Sequence, residues 1–253
     1  MRRSKKLKID GAEEKFIPIL DAAGRNILIL EFKLPSGLAV DLENDITRIY
    51  YSLVALLRAL SEVHSVFVDT RITFRMAGRY PWRNSGISKS DHMRLVWFQF
   101  VNHCYLLEEK TKLFYEQYKI VAQIFSLDFD PKDLTRANRK IKKELGSYIR
   151  ARGQTFHGWY DAHQEIALFS AAELVHSIDP MVVPSIRADY SEAKNLLRID
   201  VKIGLDFMKS FFIELVDRHS SCIMSAITKF DRLMELVEGG KTNSFSIKKG
   251  KVS

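Results

Sequence analysis

Apolar residues recur along this chain mostly three or four apart, in segments longer than a strand needs, and that spacing predicts helices. Ile49, Tyr50, Leu53, Leu56, Leu57, Leu60 and Val63 follow Asn44 or Asp45, either of which suits an N-cap, and predict a helix reaching about Phe67. It is apolar around most of its circumference, which places it centrally in a bundle. Ser90 or Asp91 opens a second long helix to about Phe125, with Leu95, Val96, Phe98, Phe100, Val101, Tyr105 and Leu106 among its apolar positions. A third covers residues 131–158, with Asp130 as N-cap, Pro131 in the first helical position, and Leu134, Ile141, Leu145 and Tyr148 as its core face. Residues 159–175 predict a shorter helix, ended by the prolines at 180 and 184. Ser191 caps a last pattern that runs through Leu197, Val201, Met208, Phe212 and Ala226 to Glu238, stops at Gly239-Gly240, and is expected to bend near Gly204.

Two stretches depart from this spacing. Residues 16–20 and 27–32 are short apolar runs around Asp21-Ala-Ala-Gly24-Arg, which predict a small β-hairpin, although a short buried helix gives the same kind of run. Between the first two long helices, Arg71, Arg75, Arg79 and Arg83 stand four apart among Phe74, Tyr80 and Trp82. Gly78 and Pro81 argue against one continuous helix there, so the segment is expected to be a connecting loop. Such a loop can hold phosphates and stack bases. The plainer alternative, solvated arginines over packed aromatics, is preferred because few long connections carry function. The expected organisation is a basic N-terminal arm with a hairpin over 1–45, an all-α bundle of four to five long helices over 46–238, and a basic disordered tail over 239–253.

Composition narrows the class. With 253 residues, 46% of them hydrophobic, the chain can bury a large core, and six prolines with twelve glycines suit an all-α protein. A net charge of +8 favours polyanionic partners. Two cysteines make no disulfide framework, so a reducing cytoplasm is expected. MRRSKKLKID leads into no apolar run, and Arg58 and Glu62 interrupt the apolar stretch at 49–57, so neither a signal peptide nor a membrane span is expected.

The candidate chemistry lies in the 131–158 segment. Arg136, Lys143, Arg150 and His157 recur every seven residues and would line one side of a helix, opposite its core face. Arg139 and Lys140 add to this cationic ridge, which suits an RNA backbone. Arg152-Gly-Gln-Thr-Phe-His157 and the overlapping Arg150-Ala-Arg-Gly-Gln-Thr-Phe-His157 resemble the Arg, four to six residues, His motif of the HEPN superfamily. The motif covers about eight residues, and the helix pattern resembles the family over 44–238. Arg58–His64 also matches the motif's spacing, but His64 sits in an apolar helix and is read as a core histidine. Gly153 stands where the family often carries Asn, Asp or His, which leaves open whether Arg150 or Arg152 is the motif arginine.

The resemblance implies a helical bundle that acts as a metal-independent endoribonuclease, working as a homodimer with facing motifs. It also implies a toxin or anti-phage defence role, with an antitoxin as a conceivable partner. Non-catalytic members that bind RNA or a protein partner are the alternative. In such an enzyme Arg150 or Arg152 grips the scissile phosphate and His157 moves the proton of the ribose 2′-OH or of the leaving oxygen. Asp161, one turn beyond His157, would orient the imidazole. No cofactor is implied. For metals, the candidate ligands are His157, Asp161 and Glu165, Asp161 with His163, and the His103-Cys104 and His219/Cys222 pairs; none has the spacing of an established signature, so no metal is expected.

Overall fold

The computed structural model describes residues 11–23, 45–79, 86–156, 163–179, 181 and 187–238. They form six helices: α1 (Gly11–Ala23), α2 (Asp45–Gly78), α3 (Lys89–Phe125), α4 (Lys132–Phe156), α5 (Gln164–Ile178) and α6 (Arg187–Glu238). The protein is an all-α helical bundle, and no strand occurs among the described residues. The expected hairpin is corrected at its first arm, because residues 16–20 lie inside α1. Phe16, Ile19 and Ala23 are its buried residues, and their spacing of three and four makes a helical stripe where a strand would alternate. Residues 27–32, the basic arm and the tail lie outside the described residues.

Several boundaries differ from expectation for local reasons. α2 runs on to Gly78 and takes in the first part of the segment read as a loop. Thr70 and Thr73 are buried there and donate their hydroxyls to the carbonyls of Val66 and Asp69, 2.8 and 3.0 Å away, while Ala77 packs inside. By length and composition Ile46–Gly78 is sufficient to cross a membrane, which the interruption at Arg58 and Glu62 was expected to prevent. Its buried residues recur from Ile49 to Ala77, the pattern of a core helix. α3 is capped by Ser88 rather than Ser90 or Asp91: the Ser88 hydroxyl accepts the Asp91 amide at 3.0 Å. α6 begins at Arg187, a turn before Ser191, and α5 spans Gln164–Ile178. Asp130 does cap α4, its carboxylate accepting the Lys132 amide at 2.9 Å.

The contacts divide the chain into two units, and α2, α3 and α6 contribute to both. The first comprises Met1–Ser61, Leu113–Asp133 and Ser210–Ser253. Its core holds Leu53, Leu56, Phe114, Phe212 and Phe230, and Phe16 meets Phe212 edge-on at 5.5 Å. His219 is buried among Phe114, Tyr115 and Tyr118, with Nε2 3.2 Å from the Tyr115 hydroxyl. Burial lowers its pKa to about 4, against a smaller opposing pull from Asp133. α3 closes with Ser126 at φ 50°, which lets the Leu127 amide donate back to Ala122 at 2.9 Å.

The second unit comprises Glu62–Lys112 and Leu134–Lys209 and contains the whole candidate site. Phe67, Phe100, Ile141, Leu145, Phe169, Leu197 and Val201 form its core. At Gly204 on α6 the Phe100 ring of α3 packs against the helix backbone, and an added Cβ would overlap the ring. The glycine expected to bend α6 instead makes room for a fully buried aromatic ring, in a helix that continues through it.

Candidate nucleic-acid interface

α4 carries eight cations and two carboxylates, so most of the chain's net charge of +8 resides in one element. Ala137, Ile141, Leu145 and Ala151 are buried along its inner side; Leu134 and Tyr148, expected beside them, are half-buried. Tyr148 donates its hydroxyl to Asp200 of α6 at 2.9 Å. Arg136, Arg139, Lys143 and Arg150 are exposed and Lys140 is half-buried, so the described residues of the expected ridge face away from the buried side of α4. Lys143 keeps 81% of its side-chain surface in solvent and meets only its neighbour Glu144, at 3.8 Å, among the described residues. Beside the ridge, Lys142 of α4 reaches Glu108 of α3, which is buried and bridged to Lys112 at 3.2 Å and to Lys142 at 3.6 Å.

The two candidate arginines part company at the end of α4. Helical geometry puts Arg152 about 160° around the axis from Arg136, so it leaves the ridge and turns towards α3. Its guanidinium carbon sits 3.8 Å from the centre of the Tyr105 ring, and its Nε donates to Asn102 at 3.2 Å. That is a guanidinium held over an aromatic face plus one directed hydrogen bond, an arrangement suited to guanidinium and poorly matched by ammonium. Arg150 stays exposed on the ridge side. Gly153 does not break the helix, and a Cβ there would meet nothing within 4 Å. His157 and Asp161 lie outside the described residues.

One cluster beside this site is not apparent from spacing alone. His163, which precedes α5, has a side chain only 5% exposed, and its two ring nitrogens lie 3.3 Å from carboxylate oxygens of Glu165 and Asp200. Its ring stands edge-on to Trp97 of α3 at 4.8 Å. Asp200 therefore receives Tyr148 from α4 and faces His163 from the start of α5, tying three helices together with one carboxylate. The signal available in the sequence was Asp200 itself, an acid one residue before the core position Val201. His64, the histidine of the second motif match, is half-buried against Phe67 rather than fully in the core.

No group of three or more histidine, cysteine or acidic side chains able to hold a metal occurs among the described residues. The two cysteines are accounted for separately. Cys104 is buried, which pushes its thiol pKa well up, and Cys222 is half-buried beside Tyr118. In comparisons with protein-family models, curated proteins and solved structures, no match to this chain emerges.

Proposed function

We propose that this chain is a HEPN-type, metal-independent endoribonuclease whose RNA backbone lies along α4, with Arg150 rather than Arg152 as the motif arginine. The observation that carries the proposal is the sorting of charge at the end of α4. Arg150 remains exposed in line with Arg136 and Lys143, whereas Arg152 is committed to Tyr105 and Asn102. His157 stands seven positions after Arg150, the spacing that shares a face wherever a helix is continuous.

In the reaction, Arg150 holds the scissile phosphate and offsets the charge that builds as the ribose 2′-oxygen attacks phosphorus. His157 accepts the 2′-hydroxyl proton, and a second acid protonates the departing 5′-oxygen, most simply His157 of a dimer mate. The products are a 2′,3′-cyclic phosphate and a 5′-hydroxyl, and DNA is spared because it lacks the nucleophile. Arg136, Arg139, Lys140 and Lys143 position the strand. Incubating the protein with single-stranded RNA in excess EDTA tests this: cleavage to cyclic-phosphate ends should occur, and His157→Ala should remove it without altering the helical circular-dichroism spectrum.

One observation favours a second reading, a non-catalytic RNA-binding bundle: Arg152, an arginine of the motif, is spent on packing. In that case RNA binds with strong salt dependence, no cleavage occurs, and His157→Ala changes little.

A further inference from the structure

We propose that the second unit carries another RNA-backbone site, apart from α4, built from Arg71, Arg75 and Arg79 at the end of α2, Lys89 at the start of α3, and Lys194 and Arg198 on α6. It rests on the reading above only for the identity of the polyanion. The continuation of α2 to Gly78 is what creates it. As a loop, this segment would scatter its arginines; as a helix, it puts Arg71 and Arg75 on one face, with Arg79 following the last turn.

α6 completes the surface. The Arg198 guanidinium lies 5.6 Å from the Phe74 ring of α2 and passes Gly78, where an added Cβ would be 3.7 Å from its Nε. One turn earlier on α6, Lys194 approaches the Tyr190 ring at 5.7 Å, and Lys89 of α3 approaches the same ring at 4.9 Å. α3 and α6 thus bring three cations against two aromatic rings, one of them on α2, where Arg71 in turn lies 5.6 Å from the Phe67 ring. Arg75, Arg79, Lys89, Lys194 and Arg198 form no ion pair among the described residues.

Of the acids near these cations, two are engaged with other groups. Asp91 accepts from Ser88 and lies 3.8 Å from Arg94, and Glu173 accepts the Ser90 amide at 3.1 Å. Asp69, two residues before Arg71, and Asp189 and Glu192, on the first turns of α6, are exposed. Like charges held this close repel, and a chain of phosphates converts that repulsion into binding by displacing its own counterions. The cation–π contacts also hold Arg198, Lys89 and Lys194 in place, lowering the entropy lost when a backbone docks. The rings are occupied by cations, so the site recognises the phosphate backbone and is indifferent to base identity.

The test uses the full chain and a fluorescently labelled 2′-O-methyl RNA strand of about 20 nucleotides, which lacks the free hydroxyl and stays intact whatever α4 does. Anisotropy titrations across a salt series compare wild type with Arg75→Glu/Arg79→Glu/Arg198→Glu, and separately with Arg139→Glu/Lys143→Glu on α4. The first variant should bind at least ~10-fold more weakly at low salt, and its log–log salt slope should shrink by about 2, as expected for three lost contacts to a single strand. An unchanged affinity and slope overturns the proposal. If so, and an acidic polyglutamate peptide binds wild type but not the variant, the surface serves a protein instead. A loss confined to the α4 variant sinks this site and leaves the α4 reading intact; a loss confined to the first variant does the reverse. Should charge reversal unfold the protein, the Arg→Gln set at the same three positions gives the same readouts.

Discussion

Replacing Gly204 with alanine tests the packing on which the candidate site stands. The added Cβ would lie 2.4 and 2.6 Å from two atoms of the Phe100 ring, well inside van der Waals contact. Phe100 has no exposed surface and is flanked by Trp97 and Tyr148, with ring centroids 5.9 and 4.9 Å away, so it has little room to move. Overpacking of a filled core costs ~1–3 kcal/mol. Alanine's better helix propensity returns ~1 kcal/mol. The close approach places the clash near the top of its range, for a net loss of ~1–2 kcal/mol. For a chain of this size that lowers Tm by about 2–8 °C. Gly153→Ala is the matched control, since nothing lies within 4 Å of its Cβ and it is also helical, so it should stabilise by ~0.5–1 kcal/mol. Urea titration followed by circular dichroism measures both, with the slope checked for constancy. If Gly204→Ala is as stable as wild type, the close approach of α3 and α6 described here is wrong.

Other expectations concern single side chains. His219 has its pKa lowered by burial to about 4, so above pH ~7.5 it is neutral in both folded and unfolded chains and affects nothing. Below that the unfolded chain takes up the proton first, and stability should fall by ~2 kcal/mol at pH 5 and ~3 kcal/mol near pH 4. Urea midpoints at pH 7 and pH 5 should reveal that drop in wild type and a smaller one in His219→Phe. Arg152→Ala should cost ~1–2 kcal/mol through the lost contact with the Tyr105 ring and hydrogen bond to Asn102, and Arg152→Lys should recover little of it. A double-mutant cycle with Tyr105→Leu reads the coupling directly, and additivity would disprove the contact. Ser126 stands at φ 50°, where glycine is at ease, so Ser126→Gly should raise the urea midpoint by the equivalent of ~0.5–1 kcal/mol. A lowered midpoint would mean that the turn closing α3 is not left-handed.

Much of the fold was legible because its helices are long and strongly periodic. Leu53, Leu56, Leu60 and Val63 of α2, Ile141 and Leu145 of α4, and Leu197, Val201, Met208 and Phe212 of α6 are all buried as their spacing predicts. Asp130 could be recognised as a cap because capping is decided within three residues. What could not be read depends on partners distant in sequence. The short apolar run at residues 16–20 fits a strand or a helix until Phe16 meets Phe212, and Gly78 stops α2 only after Ala77 has found a buried place. The cationic ridge of α4 followed from periodicity, but the divergence of Arg150 and Arg152 did not, since Asn102 and Tyr105 lie about fifty residues away. The same holds for His163, whose neighbours Trp97 and Asp200 come from other helices.

The central claim is that Arg150 acts on RNA while Arg152 acts on the protein. The most direct measurement is the initial rate of single-stranded RNA cleavage in excess EDTA, with wild type, Arg150→Ala and Arg152→Ala compared at a temperature where all three are folded. Arg150→Ala should lose about 10²–10³-fold in rate with its stability unchanged, and Arg152→Ala should keep its rate within about tenfold while unfolding at lower urea. A rate that collapses in Arg152→Ala and survives in Arg150→Ala, or wild-type protein that leaves RNA intact, would contradict the account.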